Sequence, residues 1–166
     1  MSNTDQKKLT FSSIDFKTVE ASFDGGAISS NAGVLLLREV NNQIGLTKRL
    51  ANAIYDTRDQ RYVKQELEML MTQRVFQIAC GYEDACDATT LRKDPAFKIS
   101  VGRCPETDRD LGSQPTISRF ENQVTRKDLY RLARVLVDLF IESYEEPPPV
   151  VVLDFDTTDD PTYGGQ

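Results

Sequence analysis

VVVLDFDTTDDPTYGGQ, residues 150–166, runs from an apolar stretch into a cluster of carboxylates. Pro147, Pro148 and Pro149 precede it; they end any helix before them and set an extended entry. Val150 to Leu153 are β-branched or large aliphatic residues without polar alternation, the pattern of a strand covered on both faces. Side chains alternate along a strand, so Asp154 and Asp156 project to one side, at the carboxyl end where open α/β sheets hold ligands. Two carboxylates held together repel unless a cation lies between them, and Mg2+ or Mn2+ prefers such oxygens. An acidic strand-to-loop junction with solvated carboxylates is the plainer reading of the same residues.

Working back from that stretch, the remaining chain reads as helical. Residues 64–80, KQELEMLMTQRVFQIAC, predict a central helix with Leu67, Leu70, Met71, Val75 and Ile78 on an apolar face and Gly81 after it. Residues 33–45 predict an earlier helix, capped from Ser29, Ser30 or Asn31 and stopped at Gly45. LTKRLANAIYD (46–56) predicts a short amphipathic one. YEDACDATTLRKDPAF (82–97) reads as a short helix ending before Pro95, with Asp84 and Asp87 in helix-start and capping roles. KISVGRCPETDRDLGS (98–113) reads as an exposed loop. Ser113 and Pro115 then open a helix through Ile117, Phe120 and Val124. RKDLYRLARVLVDLFIESY (126–144) predicts a long helix with Leu129, Leu132, Val135, Leu136, Leu139 and Phe140 as its core stripe. KTVEASFD (17–24) predicts a short strand after a flexible N-terminus over 1–17.

The resulting organisation is a flexible N-terminus (1–17), a mostly helical region (18–145) and the first strand of a further domain (146–166). One central strand cannot make a sheet, so the chain reads as the amino-terminal portion of a larger protein. A complete helical module with an aggregation-prone carboxyl-terminal edge is the alternative.

Composition narrows the chemistry. The chain has no histidine, which removes serine-histidine and cysteine-histidine nucleophiles and leaves carboxylates to carry any catalysis. Cys80, Cys86 and Cys104 are odd in number and read as reduced thiols. No apolar run approaches a membrane span, and MSNTDQKK lacks a signal-peptide core, so a soluble cytoplasmic protein is expected. The net charge of -6, taken as an average, disfavours a nucleic-acid partner. Its distribution says otherwise: all 20 Lys and Arg lie in residues 1–135 with 18 acids, while 136–166 hold 8 acids and no base. A mildly basic body joined to an acidic end suits a phosphate-contacting surface beside a cation-binding edge. An ordinary solvated surface with an acidic tail has the same composition.

Four blocks, in order, resemble one family across nearly the whole chain: SSNAGVLLLREV (29–40), GYEDACDATTLRKDPAFK (81–98), LGSQPTISRFEN (111–122) and VVLDFDTTDDPTYGGQ (151–166). They look like the DDE transposases of bacterial insertion sequences, in particular the IS thirteen-eighty group. The resemblance implies a mainly α amino-terminal region leading into the first strand of an incomplete α/β ribonuclease-H-like catalytic core. In such enzymes two aspartates and a glutamate gather two divalent ions, Mg2+ or Mn2+, that stabilise an in-line displacement at phosphorus. On this chain Asp156 matches the first catalytic aspartate, and Asp154 either is that ligand instead or supports it. Asp159 and Asp160 fall in the following turn, and Tyr163 stands where the family has histidine. The second aspartate and the glutamate are expected beyond residue 166, so the fragment is expected to be inactive alone. DNA, as transposon ends and target, is the implied partner, with Arg92, Lys93, Arg119, Arg126 and Lys127 as phosphate contacts. A homodimer is one assembly open to it.

Two other readings fit some of the same residues. Asp154-Phe155-Asp156-Thr157-Thr158 also matches the opening of haloacid-dehalogenase-type phosphatases, with Asp154 as nucleophile and Asp156 as general acid/base, but it leaves the upstream blocks unexplained. A non-catalytic helical DNA-binding or dimerisation module is the other.

Overall fold

A computed structural model of the chain describes residues 9–14, 17–21, 29–155 and 157. Its described part is mainly helical. An antiparallel hairpin comes first, β1 (Leu9–Ile14) with β2 (Lys17–Ala21), pairing Leu9 with Ala21 and Phe11 with Val19 and shifting register between Phe11 and Ile14. The strand expected from KTVEA is therefore present, but its partner comes from the segment read as flexible.

Seven helices follow among the described residues: α1 (Val34–Ile44), α2 (Leu46–Ala53), α3 (Leu67–Ala79), α4 (Ala88–Leu91), α5 (Pro95–Ser100), α6 (Gln114–Asn122) and α7 (Arg126–Glu142). The break between α1 and α2 is one residue. Gly45 takes the left-handed conformation at φ 66°, its N–H donates to the Asn41 carbonyl at 2.7 Å, and the Asn41 side chain accepts from Thr47 N–H at 2.9 Å.

Helix α3 is the axis of the core. One cluster on it contains Ala51, Ile54, Leu70, Met71, Ala88, Ile117 and Phe120; the other contains Val34, Phe76, Leu91, Ala96, Phe97 and Leu111. Met69 and Val75 touch both. A helix between two clusters needs no single apolar stripe, and α3 buries Thr72, Gln73 and Gln77 while the expected core residue Ile78 is exposed.

Pro95 acts as a start, not a stop. Its ring suits the first helical turn, and Asp94 caps α5 by accepting from Ala96 N–H at 2.8 Å and Phe97 N–H at 3.1 Å. The same carboxylate accepts from Ser29 Oγ at 2.8 Å and Asn31 Nδ2 at 3.3 Å, and Tyr82 Oη donates to Asn31 Oδ1 at 2.8 Å. Ser29 and Asn31 thus hold the α5 entry rather than capping α1, whose N-cap is Gly33. The first two of the four motif blocks meet at Asp94. Asp84 caps a short 3-10 turn at Ala85–Asp87, accepting from Cys86 N–H at 2.8 Å, as expected of it.

Helix α7 opens on a capping box that the sequence reading passed over: Thr125 and Asp128 bond each other's backbone N–H. Asp128 also accepts from Tyr55 N–H at 3.3 Å and pairs with Arg131, which donates to the Ala53 carbonyl at 2.6 Å. The start of α7 is thereby tied to the end of α2. The Thr125 hydroxyl and N–H, more than Arg131, hold the Asp128 carboxyl at about 2, while Arg58 does the same for Asp56, also to about 2. Both folded values lie below the ordinary aspartate value of about 3.9, so their stabilisation is complete above that pH and is lost as pH falls through 2. The melting temperature is expected to hold level above about pH 5 and fall steeply between about pH 4 and 2. Calorimetry of Asp128→Asn should give a lower plateau and a shallower acid limb; an acid limb unchanged from the parent would remove Asp128 from this role.

Two expectations fail in this region. Of the six residues expected in the core stripe of α7, Leu132, Val135 and Leu139 are half-buried, Leu132 against the first cluster, whereas Leu129, Leu136 and Phe140 are exposed, and the one fully buried residue of the helix is Asp128. Residues 151–155 form no strand, and Val152, Leu153 and Phe155 are 87%, 70% and 88% exposed. A buried strand requires neighbours on both edges, and among the described residues none lies beside this segment. Among those residues, no helix is long and apolar enough to cross a membrane.

Candidate nucleic-acid interface

The segment expected to be an exposed loop is bound down residue by residue. Lys98 is buried on α5, and its ammonium donates to the carbonyls of Pro105 at 3.0 Å and Asp108 at 2.8 Å. Arg103 donates to the Asp110 carbonyl at 2.9 Å and to Gln65 Oε1 at 2.6 Å; Gln65 returns a bond to the Asp110 carbonyl at 3.0 Å. Arg92 places two N–H groups on Asp110 Oδ2, at 2.9 and 3.1 Å, and holds that carboxyl below its ordinary range. Buried Gln73 finishes the anchoring with both Gly112 backbone groups, donating to the carbonyl and accepting from the N–H, each at 2.8 Å.

Residues 109–113 of the segment held by these ties line a groove of about 940 Å3. Residues 58, 59 and 62–65, around the short 3-10 turn Gln60–Tyr62, also line it, as do Thr116, Arg119 and Phe120 of α6 and Gln123 at its carboxyl end. Five cations line it, Arg58, Lys64, Arg92, Arg109 and Arg119, against Asp59 and Asp110. Arg58 is matched by Asp56 at 2.7 Å, Arg92 by Asp110, and Asp59 by Arg61 at 2.7 Å. Lys64, Arg109 and Arg119 have no ion pair among the described residues. They are thus the groove's cations without a carboxylate partner among the described residues, on a chain that is acidic overall. A concave surface with spare cations and a tyrosine at its rim can hold a phosphate chain.

The expected phosphate contacts are only partly gathered here. Arg92 and Arg119 line the groove. Lys93 is exposed outside its lining, and Arg126 and Lys127 are exposed on the first turn of α7. Sequence reasoning missed Arg58, Lys64 and Arg109. The signal for two of them was the basic and aromatic run RDQRYVK at 58–64, whereas Arg109 sits between two aspartates and gave none.

Asp154 is exposed on the extended segment, and Asp156, Asp159 and Asp160 lie outside the described residues, as do Tyr163, Gly164, Gly165 and Gln166. Among the described residues no three His, Cys, Asp or Glu side chains are grouped to hold a metal ion. Asp154 by itself does not make a divalent-cation centre. The three cysteines are free thiols, with burial raising the pKa of Cys80.

Neither the curated proteins nor the solved structures include a match to this sequence. The family model described as transposase DDE domain group 1 matches residues 11–166, which takes in all four motif blocks and the Asp-x-Asp-x-Thr segment together, and the phosphatase reading gains no support from it. With that match over nearly its full length, the chain belongs to the transposase DDE domain family, group 1.

Proposed function

We propose that the chain is the DNA-binding and pre-catalytic part of an insertion-sequence transposase of the IS thirteen-eighty group, and that the groove lined by residues 58–65, 109–113 and α6 tracks a DNA backbone. The convergence of Lys64, Arg109 and Arg119, all without ion pairs among the described residues, is the observation that carries this reading. Family membership supports DNA as the partner and divalent metal as the catalytic ion in general. In this reading Asp156, with Asp154, contributes the first carboxylate position of a ribonuclease-H-like core. Asp59 and Asp110, the groove's two carboxylates, are held by Arg61 and Arg92, so the groove is read as a surface for DNA and not as the metal centre.

The test is fluorescence anisotropy of labelled duplex carrying a terminal inverted repeat, titrated at several salt concentrations. The triple variant Lys64→Gln, Arg109→Gln, Arg119→Gln should bind at least tenfold more weakly. Its log-log salt slope should be shallower by about 0.9 for each phosphate that the variant no longer neutralises. Lys93→Gln should change little, and Asp154→Asn should leave affinity equal or slightly raised. Parent-like affinity and slope in the triple variant would overturn the assignment of the groove; no salt-dependent DNA binding by the parent would overturn the reading itself.

A further inference from the structure

Tyr62 is 77% exposed and lines the groove together with Lys64, Arg109 and Arg119. Its neighbour Arg61 does not line the groove, and the Arg61 guanidinium stands over the Tyr62 ring, 5.8 Å from the centroid. Arg61 is held in turn by Asp59, which accepts from its backbone N–H at 3.1 Å and from Nη2 at 2.7 Å. A carboxylate, a guanidinium and a phenol ring are thereby braced one against the next within a single short turn. One face of the ring is covered by a cation and the other is left open. A lone exposed tyrosine is ordinary on a surface. One braced in this way, in a groove with three cations that have no ion pair among the described residues, is placed to receive a ligand ring.

The rest of the lining fits a ring better than it fits phosphate alone. Leu70, Leu111 and Phe120, all members of the buried clusters, contribute carbon to it. Gln123 also lines it, and its amide Nε2 is buried without an acceptor among the described residues. Phosphate oxygens need cations and N–H donors, whereas apolar carbon and an aromatic face suit a flat heteroaromatic ring, and an orphan amide donor suits that ring's polar edge. The volume of about 940 Å3 is that of a cleft that encloses a small ligand group. Inside a duplex both faces of every base are covered by its neighbours, so a protein ring can stack only on a base that is unpaired.

We infer that Tyr62 is a stacking platform for an unpaired base, and that the groove takes DNA with a single-stranded stretch in preference to intact duplex. Lys64, Arg109 and Arg119 neutralise phosphates of the strand, and Tyr62 takes a base of the same strand. This inference rests on the reading of the groove as a DNA surface, but the two contributions separate by their response to salt. Phosphate contacts release counterions and weaken steeply as salt rises; stacking does not.

Anisotropy of a labelled duplex with a short single-stranded gap, set beside the same duplex without the gap, tests this on the 166-residue chain. The parent should bind the gapped duplex at least about fivefold more tightly. Tyr62→Ala alters only an exposed side chain; it should abolish the preference while keeping both the affinity for intact duplex and the salt slope. Tyr62→Phe should retain the preference, because the ring and not the hydroxyl makes the stack. The fluorescence of 2-aminopurine in the gap should be quenched by the parent and by Tyr62→Phe, and not by Tyr62→Ala. Equal affinity for the two duplexes, with normal salt dependence, would overturn the inference and leave the groove reading standing. A preference that survives Tyr62→Ala, or a loss in that variant that is the same for both duplexes, would remove the platform. Displacement of the gapped duplex by adenosine monophosphate at about the same nucleotide concentration would assign the ring to a free nucleotide instead. No salt-dependent binding of either duplex would overturn the groove reading and this inference together.

Discussion

Gln73→Ala is expected to lower the stability of this chain by about 3–4 kcal/mol, the largest loss among single polar substitutions outside the charged groups. Gln73 is fully buried on α3, and its amide pairs with both backbone groups of Gly112 in the manner of a strand neighbour. Removing it leaves a buried N–H and a buried carbonyl without partners, each costing about 1–3 kcal/mol, and opens a cavity as well. Gly112 cannot move inward to compensate in a larger form: a Cβ there would stand 2.9 Å from Leu70 Cδ2 and 3.0 Å from Gln73 Oε1. For a chain of this length the loss corresponds to a fall of about 6–16 °C in melting temperature. Gln73→Leu should recover the packing part but not the bonds, and the Gly112 amide should exchange with solvent much faster in both variants. A Gln73→Leu protein with parent stability and slow exchange at Gly112 would show that the loop is held by its other ties.

Lys98→Met is expected to cost about 3 kcal/mol and to free the wall of the groove. The Lys98 side chain is 6% exposed, and its ammonium lies 3.7 Å from Asp110 Oδ1 besides donating to the Pro105 and Asp108 carbonyls. Bonds from a charged donor contribute about 1.5–3 kcal/mol each, and methionine fills the space without replacing them. The released segment carries Arg103 and Arg109, so trypsin should cut there in the variant well before the parent. DNA affinity should fall with it, because Arg109 and the Arg92–Asp110 pair lose their fixed positions. Full stability together with unchanged trypsin resistance would show the loop to be organised without Lys98.

These two side chains show where sequence reading stops. KISVGRCPETDRDLGS has the glycine, proline and charge of an open loop, and nothing in its composition signals that its own first residue, Lys98, will sit in the last turn of a helix and bond back to it or that Gln73 of α3 will bond it from outside. Such bonds join residues 7 to 39 positions apart, beyond any local periodicity. The groove was missed for the same reason: Arg92 and Arg119 were singled out from separate motifs, and Lys64 and Arg109 join them only when the turn, the loop and α6 meet. Helix α7 failed in the other direction. Its 3.6-residue periodicity is real, but periodicity identifies an apolar face without saying what covers it, and here part of that face is left open.

The order of the helices apart from α5, the turn at Gly45, the Asp84 cap, the Ser113–Pro115 entry and membership of the transposase family were legible in the chain, because each depends on residues within a few positions of one another or on ordered motifs. Which wall Lys98 and Gln73 would build, which cations would stand together and which face of α7 would remain open were decided only by tertiary packing. Those outcomes depend on which surfaces are left after distant segments have taken their partners, and no local pattern encodes that remainder.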